Sequence, residues 1–426
     1  MKMLKLLILL MIIFSFSACT YFQPFREDFS RMGTRHVKVG DQIDLNLEEL
    51  KESYNFDDIS VDFAYGSLTL KLFMFNYKNE LYAMHPGVSD LSVYLSRNNK
   101  VIALVHYGLV TIYNPYDADD STWTALNSIN FYYEISRKPY GKYYLEEDID
   151  ASVGIKNQTT GSFSGCLVNP FGYKIINLNR TGYASNGLFM IIDHAYIDGL
   201  IIEDASLTGD MDLINSASIG ILASGIFDSY ITNITVTGNI RNFRSEMIGG
   251  IVGESKGSYY RSISFEGEIY GYAQYIGGLF GTFSRYTNRH TPIPTMIENA
   301  YVIGILESIK VGANVQAFIG HVSDSDEALP SIHIYNGYFD GEIKPNDLPT
   351  VHYFTFSNYS DLGYVTYMNL YTTQVINTTE TALDGDVSIL NFIDHEMLVS
   401  GEELAGMDGF NFMSGEYPSL KGWIEP

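Results

Sequence analysis

The side chains of this 426-residue chain that could carry catalysis or hold a metal are nine histidines, two cysteines and 50 acidic residues, and their spacing argues against most of that chemistry. The histidines, at 36, 85, 106, 194, 290, 321, 333, 352 and 395, stand singly. Asp394-His395-Glu396-Met397 has no second histidine one helical turn on, so the two-histidine zinc motif with its glutamate base is missing. No Gly-x-Ser-x-Gly nucleophile elbow and no phosphate-cradling glycine loop is found. No Cys-x-x-Cys or Cys/His set suits structural zinc. Two acidic runs, Glu146 to Asp150 and Asp324 to Glu327, offer oxygen ligands of the kind calcium takes, but neither has EF-hand spacing. We read both as solvated edges of a kind that discourages aggregation. Glu266 and Glu268 flank a glycine and form no carboxylate pair suited to glycosidic bond cleavage. No catalytic residue, metal site or cofactor is expected.

Tyrosine is the other residue type with a use. The chain has 33, and five crowd together at Tyr259, Tyr260, Tyr270, Tyr272 and Tyr275. Strand alternation puts Tyr270 and Tyr272 on one face and Ile269 on the other. Exposed tyrosines on a rigid sheet stack on sugar rings or partner aromatics with little entropy to lose. Tyr270 and Tyr272 are therefore the candidate ligand-binding residues. The competing reading is that they pack on a neighbouring segment, in a chain already rich in tyrosine.

The elements that must position them repeat. Gly-rich apolar phrases open at Asn186, Ile219, Ile248, Ile276 and Gln316, and each is followed by a stretch closing at Gly209, Gly238, Gly267, Gly304 or Gly341. The closing glycines are 29, 29, 37 and 37 residues apart, with a polar insertion from Arg285 to Thr295 in the longer third unit. A recurring period of this size marks a repeat architecture. The units are rich in Ile, Val, Tyr, Phe and Thr, and in Asn233 to Ile240 the residues Ile234, Val236 and Ile240 alternate with Thr235 and Thr237. One unit has too little apolar area to fold alone, so stacking must bury its inward row against the next. The pattern predicts a parallel β-solenoid with glycines at its corners, Ile248, Ile263, Ile269, Ile276 and Leu279 buried, and Thr235, Thr237 and Glu266 facing water.

The units resemble the GLUG-motif repeats of bacterial surface proteins. Gly277 to Gly281 match the opening phrase, Ile297-Glu298-Asn299 the Ile-x-Asn strand, and Val302 with Gly304 the close. Gly141 to Ser152 resembles the lead-in to such arrays, Phe163 to Leu178 their first coil, and Gly409 to Trp423 their closing phrase. The resemblance fades between Pro345 and Met407. It implies a β-solenoid scaffold and names no ligand. IgA-protease-type enzymes that carry such repeats place their catalytic unit elsewhere, and no counterpart of that unit is found in this chain. Tyr94 to Pro115, with its turn at Gly108, resembles the second half of a bacterial immunoglobulin-like domain.

The first residues read as a targeting signal. Lys2 and Lys5 precede an apolar run from Leu6 to Phe16 that is short for a membrane span. Phe16 to Thr20 resembles the bacterial lipoprotein lipobox, with Phe16 where Leu is usual, and the resemblance implies lipid attachment at Cys19. The alternative is an ordinary secretory signal cleaved near Ala18. If Cys19 is lipidated, Cys166 has no disulfide partner and serves as a small buried hydrophobe. The net charge of −24 becomes −26 without Lys2 and Lys5, since 24 basic then face 50 acidic residues. Such a surface repels nucleic acid and anionic lipid headgroups.

The expected plan is all-β: a lipoprotein signal peptide over 1–18, a tether over 19–34, a small Ig-like β-sandwich over 35–140, a GLUG-repeat solenoid over 141–344, and C-terminal coils with a cap over 345–426. The expected function is adhesion or ligand binding, to a glycan or a surface protein, by a non-enzymatic protein held by lipid on the extracytoplasmic face of the cell membrane. A carbohydrate-active β-helix enzyme and a structural envelope protein are the alternatives.

Overall fold

The computed structural model describes residues 26–421 except 29, 32, 55–59, 64–71, 76–79, 98–99, 153–159, 183–186, 213–217, 285–294, 324–331, 346–364 and 374–389. Strand outweighs helix, 61% against 7%, so the chain is mostly β. Its contacts divide it into two units, one of Met1–Arg35, Gly40–Met84 and Asp90–Val110, the other of His36–Val39, His85–Ser89 and Thr111–Pro426.

Most of a five-stranded sheet belongs to the smaller unit; in it Arg26–Asp28, Lys100–Tyr113, Gly87–Arg97 and Ser60–Phe63 lie in that order, with Gly33–Lys38 also joined to Lys100–Tyr113. A second, three-stranded sheet orders Gln42–Ile43, Leu81–Ala83 and Phe73–Phe75 antiparallel. Leu91, Val93 and Leu95 alternate into its core, as half-buried strands require. The Tyr107 ring is buried and its hydroxyl donates to Leu45 O at 2.7 Å.

The larger unit is a β-solenoid. The chain alternates between two parallel sheets, and each strand pairs with its counterpart one coil on. In the larger sheet Ile201–Thr208, Tyr230–Gly249, Tyr259–Gly277, Thr295–Ser308, Ile332–Pro345 and Val365–Thr372 follow one another. The smaller sheet stacks Thr160–Phe163, Phe189–Asp193, Ala223–Phe227, Val252–Lys256, Phe280–Ser284 and Ile319–Ser323. The large sheet begins at Trp123–Leu126, which pairs in parallel with Lys142–Leu145.

Register turns the repeat into columns of like side chains. Ile234, Ile263 and Ala300 lie in one column, Val236, Phe265, Val302 and Phe339 in another, Ile240, Ile269 and Leu306 in a third. All are buried in one core with Phe280, Phe283 and Ile319 of the facing sheet. Ile248, Ile263, Ile269, Ile276 and Leu279 are fully buried, while Thr235, Thr237 and Glu266 are half-buried on the outer face.

Two rows show why the phrase repeats. Asn233, Ser262, Asn299, Asn336 and Asn369 occupy one corner in successive coils, all left-handed with φ between 53° and 57°. Asparagine tolerates that conformation better than most residues, and its amide bonds to the next rung: Asn336 Nδ2 donates to Asn299 Oδ1 at 3.2 Å and Asn369 Nδ2 to Asn336 Oδ1 at 2.9 Å. In the second row Gly238, Gly267, Gly304 and Gly341 align. They lie inside long, bent strands rather than in the connecting turns, and a Cβ on Gly267 (φ 152°) would overlap the Gly238 carbonyl oxygen. The first coil departs from the expected alignment. Ala205, not Gly209, pairs with Gly238, and Gly209 lies four residues further along, its N–H bonded to Arg241 O at 2.9 Å.

After Leu390–Phe392 the chain leaves the coils and runs back along their outer face. Leu398, Leu404, Met407 and Phe410 cluster with Tyr301, Tyr338 and Tyr371, which belong to three successive coils. Tyr371 Oη donates to Ala405 O at 2.9 Å and Tyr338 Oη to Pro418 O at 2.7 Å. Asp340 anchors the same segment by accepting from Tyr417 Oη at 2.6 Å, and His395 Nδ1 lies 3.0 Å from it.

Candidate functional site

Tyr270 and Tyr272 share the outer face of Tyr259–Gly277, with Ile269, Gly271 and Ala273 pointing inward. Tyr270 is half-buried in a row of charged neighbours, Arg241 on the preceding strand and Glu307 on the following one. Arg241 is itself paired with Glu268. Tyr272 is 37% exposed and sits in a different setting. Arg244 of the preceding coil lies over its ring at 5.5 Å from the centroid, and Lys310, from the segment following the next strand, at 5.8 Å. The two come from opposite sides of the strand, so cations of both neighbouring coils approach the one ring. Among the described residues neither Arg244 nor Lys310 has an ion pair, so two positive charges stand together on an acidic chain.

A second feature went unnoticed in the sequence. A groove of about 580 Å³ opens on the outer face, lined among others by Tyr116, Asn169, Asp198, Asn233, Ser262 and Lys421. Asp198 follows the strand residues Tyr196 and Ile197 and precedes the corner at Gly199. Its carboxylate accepts from Asn233 Nδ2 at 2.7 Å and from Tyr196 Oη at 3.2 Å. Burial pushes its pKa up to about 6 against the opposing pull of those two donors. Beside the groove the Tyr116 ring lies 4.7 Å from Tyr144 and 5.8 Å from Phe171, and Phe171 is 57% exposed. Asn169 holds the rim loop, bonding Tyr173 O and Gly199 O through Nδ2 and Tyr173 N through Oδ1.

The acidic run Glu146 to Asp150 serves as a set of hydrogen-bond acceptors. Glu146 accepts from Asn127 Nδ2 at 2.9 Å, Asp148 from Lys174 N at 2.8 Å, and Asp150 from Ser152 N at 2.9 Å. The run Asp324 to Glu327 lies outside the described residues, as do Cys19 and positions 285–294 of the insertion. Among the described residues, Asp193, His194 and Asp228 bring potential ligand atoms together. His194 Nδ1 is 2.7 Å from Asp193 and its Nε2 is 3.7 Å from Asp228, so the carboxylates address opposite ring nitrogens. The imidazole thus lies between a carboxylate of its own coil and one of the next coil. Cys166 is free and buried, and burial pushes its thiol up to about 12.

No family model matches the chain, and no curated protein matches it. A solved structure titled "IgA1 Protease" is similar at 15% identity with a TM-score of 0.45, covering 79% of this chain and 28% of that one. The chain thus spans little more than a quarter of that protein, 28% of its length.

Proposed function

We propose that the chain is a lipid-anchored protein of the cell surface, attached through Cys19, whose β-solenoid is a rigid scaffold for adhesion or ligand binding. Within residues 35–140, the part that precedes the first solenoid strand at Trp123 is read as an immunoglobulin-like module. The observation that carries the binding reading is Tyr272, exposed between Arg244 and Lys310. Two cations without an ion pair among the described residues, both close to one exposed ring, suit an acidic group, such as the carboxylate or sulfate of a glycan, better than a neutral ring. Tyr270 flanks this spot on the same face.

A glycan array probed with the full chain tests this reading. Retention on acidic glycans that falls when Arg244→Ser is combined with Lys310→Ser, in a folded protein, supports it. Undiminished retention in that variant, or in the double variant Tyr270→Ala with Tyr272→Ala, refutes it. Cys19→Ser tests the anchor: a variant that stays in the membrane fraction through detergent-free washing removes the lipoprotein reading. The carbohydrate-active alternative draws on one observation, the Asp198 carboxyl held near neutrality in a groove. Reducing-sugar release that is lost in Asp198→Asn would favour it over binding alone.

A further inference from the structure

The groove holds a withdrawn negative charge whose hydrogen-bond partners are both neutral. Asp198 is bonded by the Asn233 amide and the Tyr196 hydroxyl. Lys421 also lines the groove, but its Nζ donates to Asp408 O at 2.7 Å, and no cation is among the groups acting on the Asp198 carboxyl. The nearby Arg261 is directed to Glu298 at 3.9 Å. The other titratable group facing Asp198 from an adjacent strand is the Tyr230 phenol, which burial keeps protonated. A carboxylate removed from water without a counter-charge is destabilising, and a ligand that brings the counter-charge relieves it. The rest of the site suits a cation. The Tyr116 ring, backed by Phe171, offers aromatic and apolar surface in the groove wall, and the acidic chain draws cations into its clefts.

We propose that this groove binds a protonated primary amine carried on a small, partly apolar ligand, with Asp198 as its counter-ion. An ammonium has three donors and no acceptor. The carboxylate of Asp198 takes one or two of them, the Asn233 Oδ1 can take another, and Tyr116 with Phe171 covers the carbon skeleton beside it. A neutral polyol leaves the charge uncompensated, and an anion meets it as a like charge. An amino sugar and an alkylamine share the required chemistry. The site is separate from the Tyr272 face, and neither depends on the other. Because burial holds the free carboxyl at about 6, it is mostly ionised at pH 7.5 and mostly protonated at pH 5, where the amine loses its counter-ion.

The test is a ligand-observed NMR titration of the full chain with glucosamine against N-acetylglucosamine, and with n-butylamine against 1-butanol, at pH 7.5 and pH 5. The expected result is that at least one amine binds about tenfold or more tightly than its neutral counterpart at pH 7.5, with most of the preference gone at pH 5. The pair showing the preference identifies the source as amino sugar or alkylamine. Asp198→Asn should abolish it without lowering the melting temperature, and Tyr116→Ala should weaken the amine that binds. The pH comparison needs no variant, so a misfolded one does not protect the idea. Equal binding of neutral and amine probes, a preference undiminished at pH 5, a preference that survives in folded Asp198→Asn, or no amine binding at all overturns it.

Discussion

Gly267→Ala is the sharpest probe of how the coils stack. Gly267 sits at φ 152° between Gly238 and Gly304, and an added Cβ would fall on the Gly238 carbonyl oxygen. Two costs follow. An alanine at positive φ is strained by about 1–3 kcal/mol. The rungs must also part locally, weakening about two ladder hydrogen bonds at about 1 kcal/mol each. The sum is about 3–5 kcal/mol. Gly161→Ala is the matched control, since nothing lies within 4 Å of the Cβ it would add. It should change stability by no more than about 0.5 kcal/mol. Urea unfolding followed by circular dichroism reads both. A Gly267→Ala midpoint no lower than that of Gly161→Ala would show that the glycine row is not sterically closed, and the account of why the phrase repeats would fail.

Ile263→Asp, which places a charge in the column between Ile234 and Ala300, should lower stability by about 3 kcal/mol or more, and an unchanged melting temperature would refute the burial. The Cys166 thiol, held up to about 12 by burial, should resist iodoacetamide at pH 8 until the chain unfolds, as peptide mapping of that residue will show; rapid native alkylation would contradict the packing. Asp198 has a folded pKa above its unfolded value of about 3.9, so its contribution to stability is full below pH 4 and lost as pH rises through about 6. Asp198→Asn should therefore flatten the stability–pH curve between pH 4 and 7 by about 1–3 kcal/mol, and an unaltered curve would place the carboxyl in solvent.

The core was readable where one residue meets one local demand. Ile297-Glu298-Asn299 announces an inward side chain followed by a left-handed corner, and Val302 with Gly304 an inward side chain followed by a close approach of rungs. Those demands recur in each coil, so they show as a period. Register was less readable. Counting back from Tyr272 by the 29 residues that separate Gly267 from Gly238 leads to Phe243, yet Arg244 is the partner, because the pairing slips between Arg241 and Phe243. One extra residue there, left-handed Asn242, turns Phe243 inward and brings an arginine to the tyrosine. In the preceding coil the position opposite Gly238 is taken by Ala205, four residues before Gly209, so the closing glycine of the sequence period is not the structural counterpart. The groove could not be read at all. Its walls come from six separate places in the chain, among them Tyr116, Asn169, Asp198, Asn233, Ser262 and Lys421, and neither Asp198 nor Tyr116 carries a local motif.

The C-terminal segment changes how this kind of molecule holds together. In a stack of coils each rung is answerable only to its neighbours, so an end can fray and the fray can travel. Here Gly406 lies against Asn369, Gly409 against Asn299, and Lys421 beside the groove of Asp198. This segment thus runs back past several coils, accepting hydrogen bonds from their tyrosine hydroxyls on its carbonyls and packing Leu398, Leu404, Met407 and Phe410 against their rings. Its contacts have very long sequence separation, which slows their formation relative to the local coil pairings. Because it is fastened across several rungs at once, this segment makes those rungs answerable to one another, and fraying through them must first peel it away.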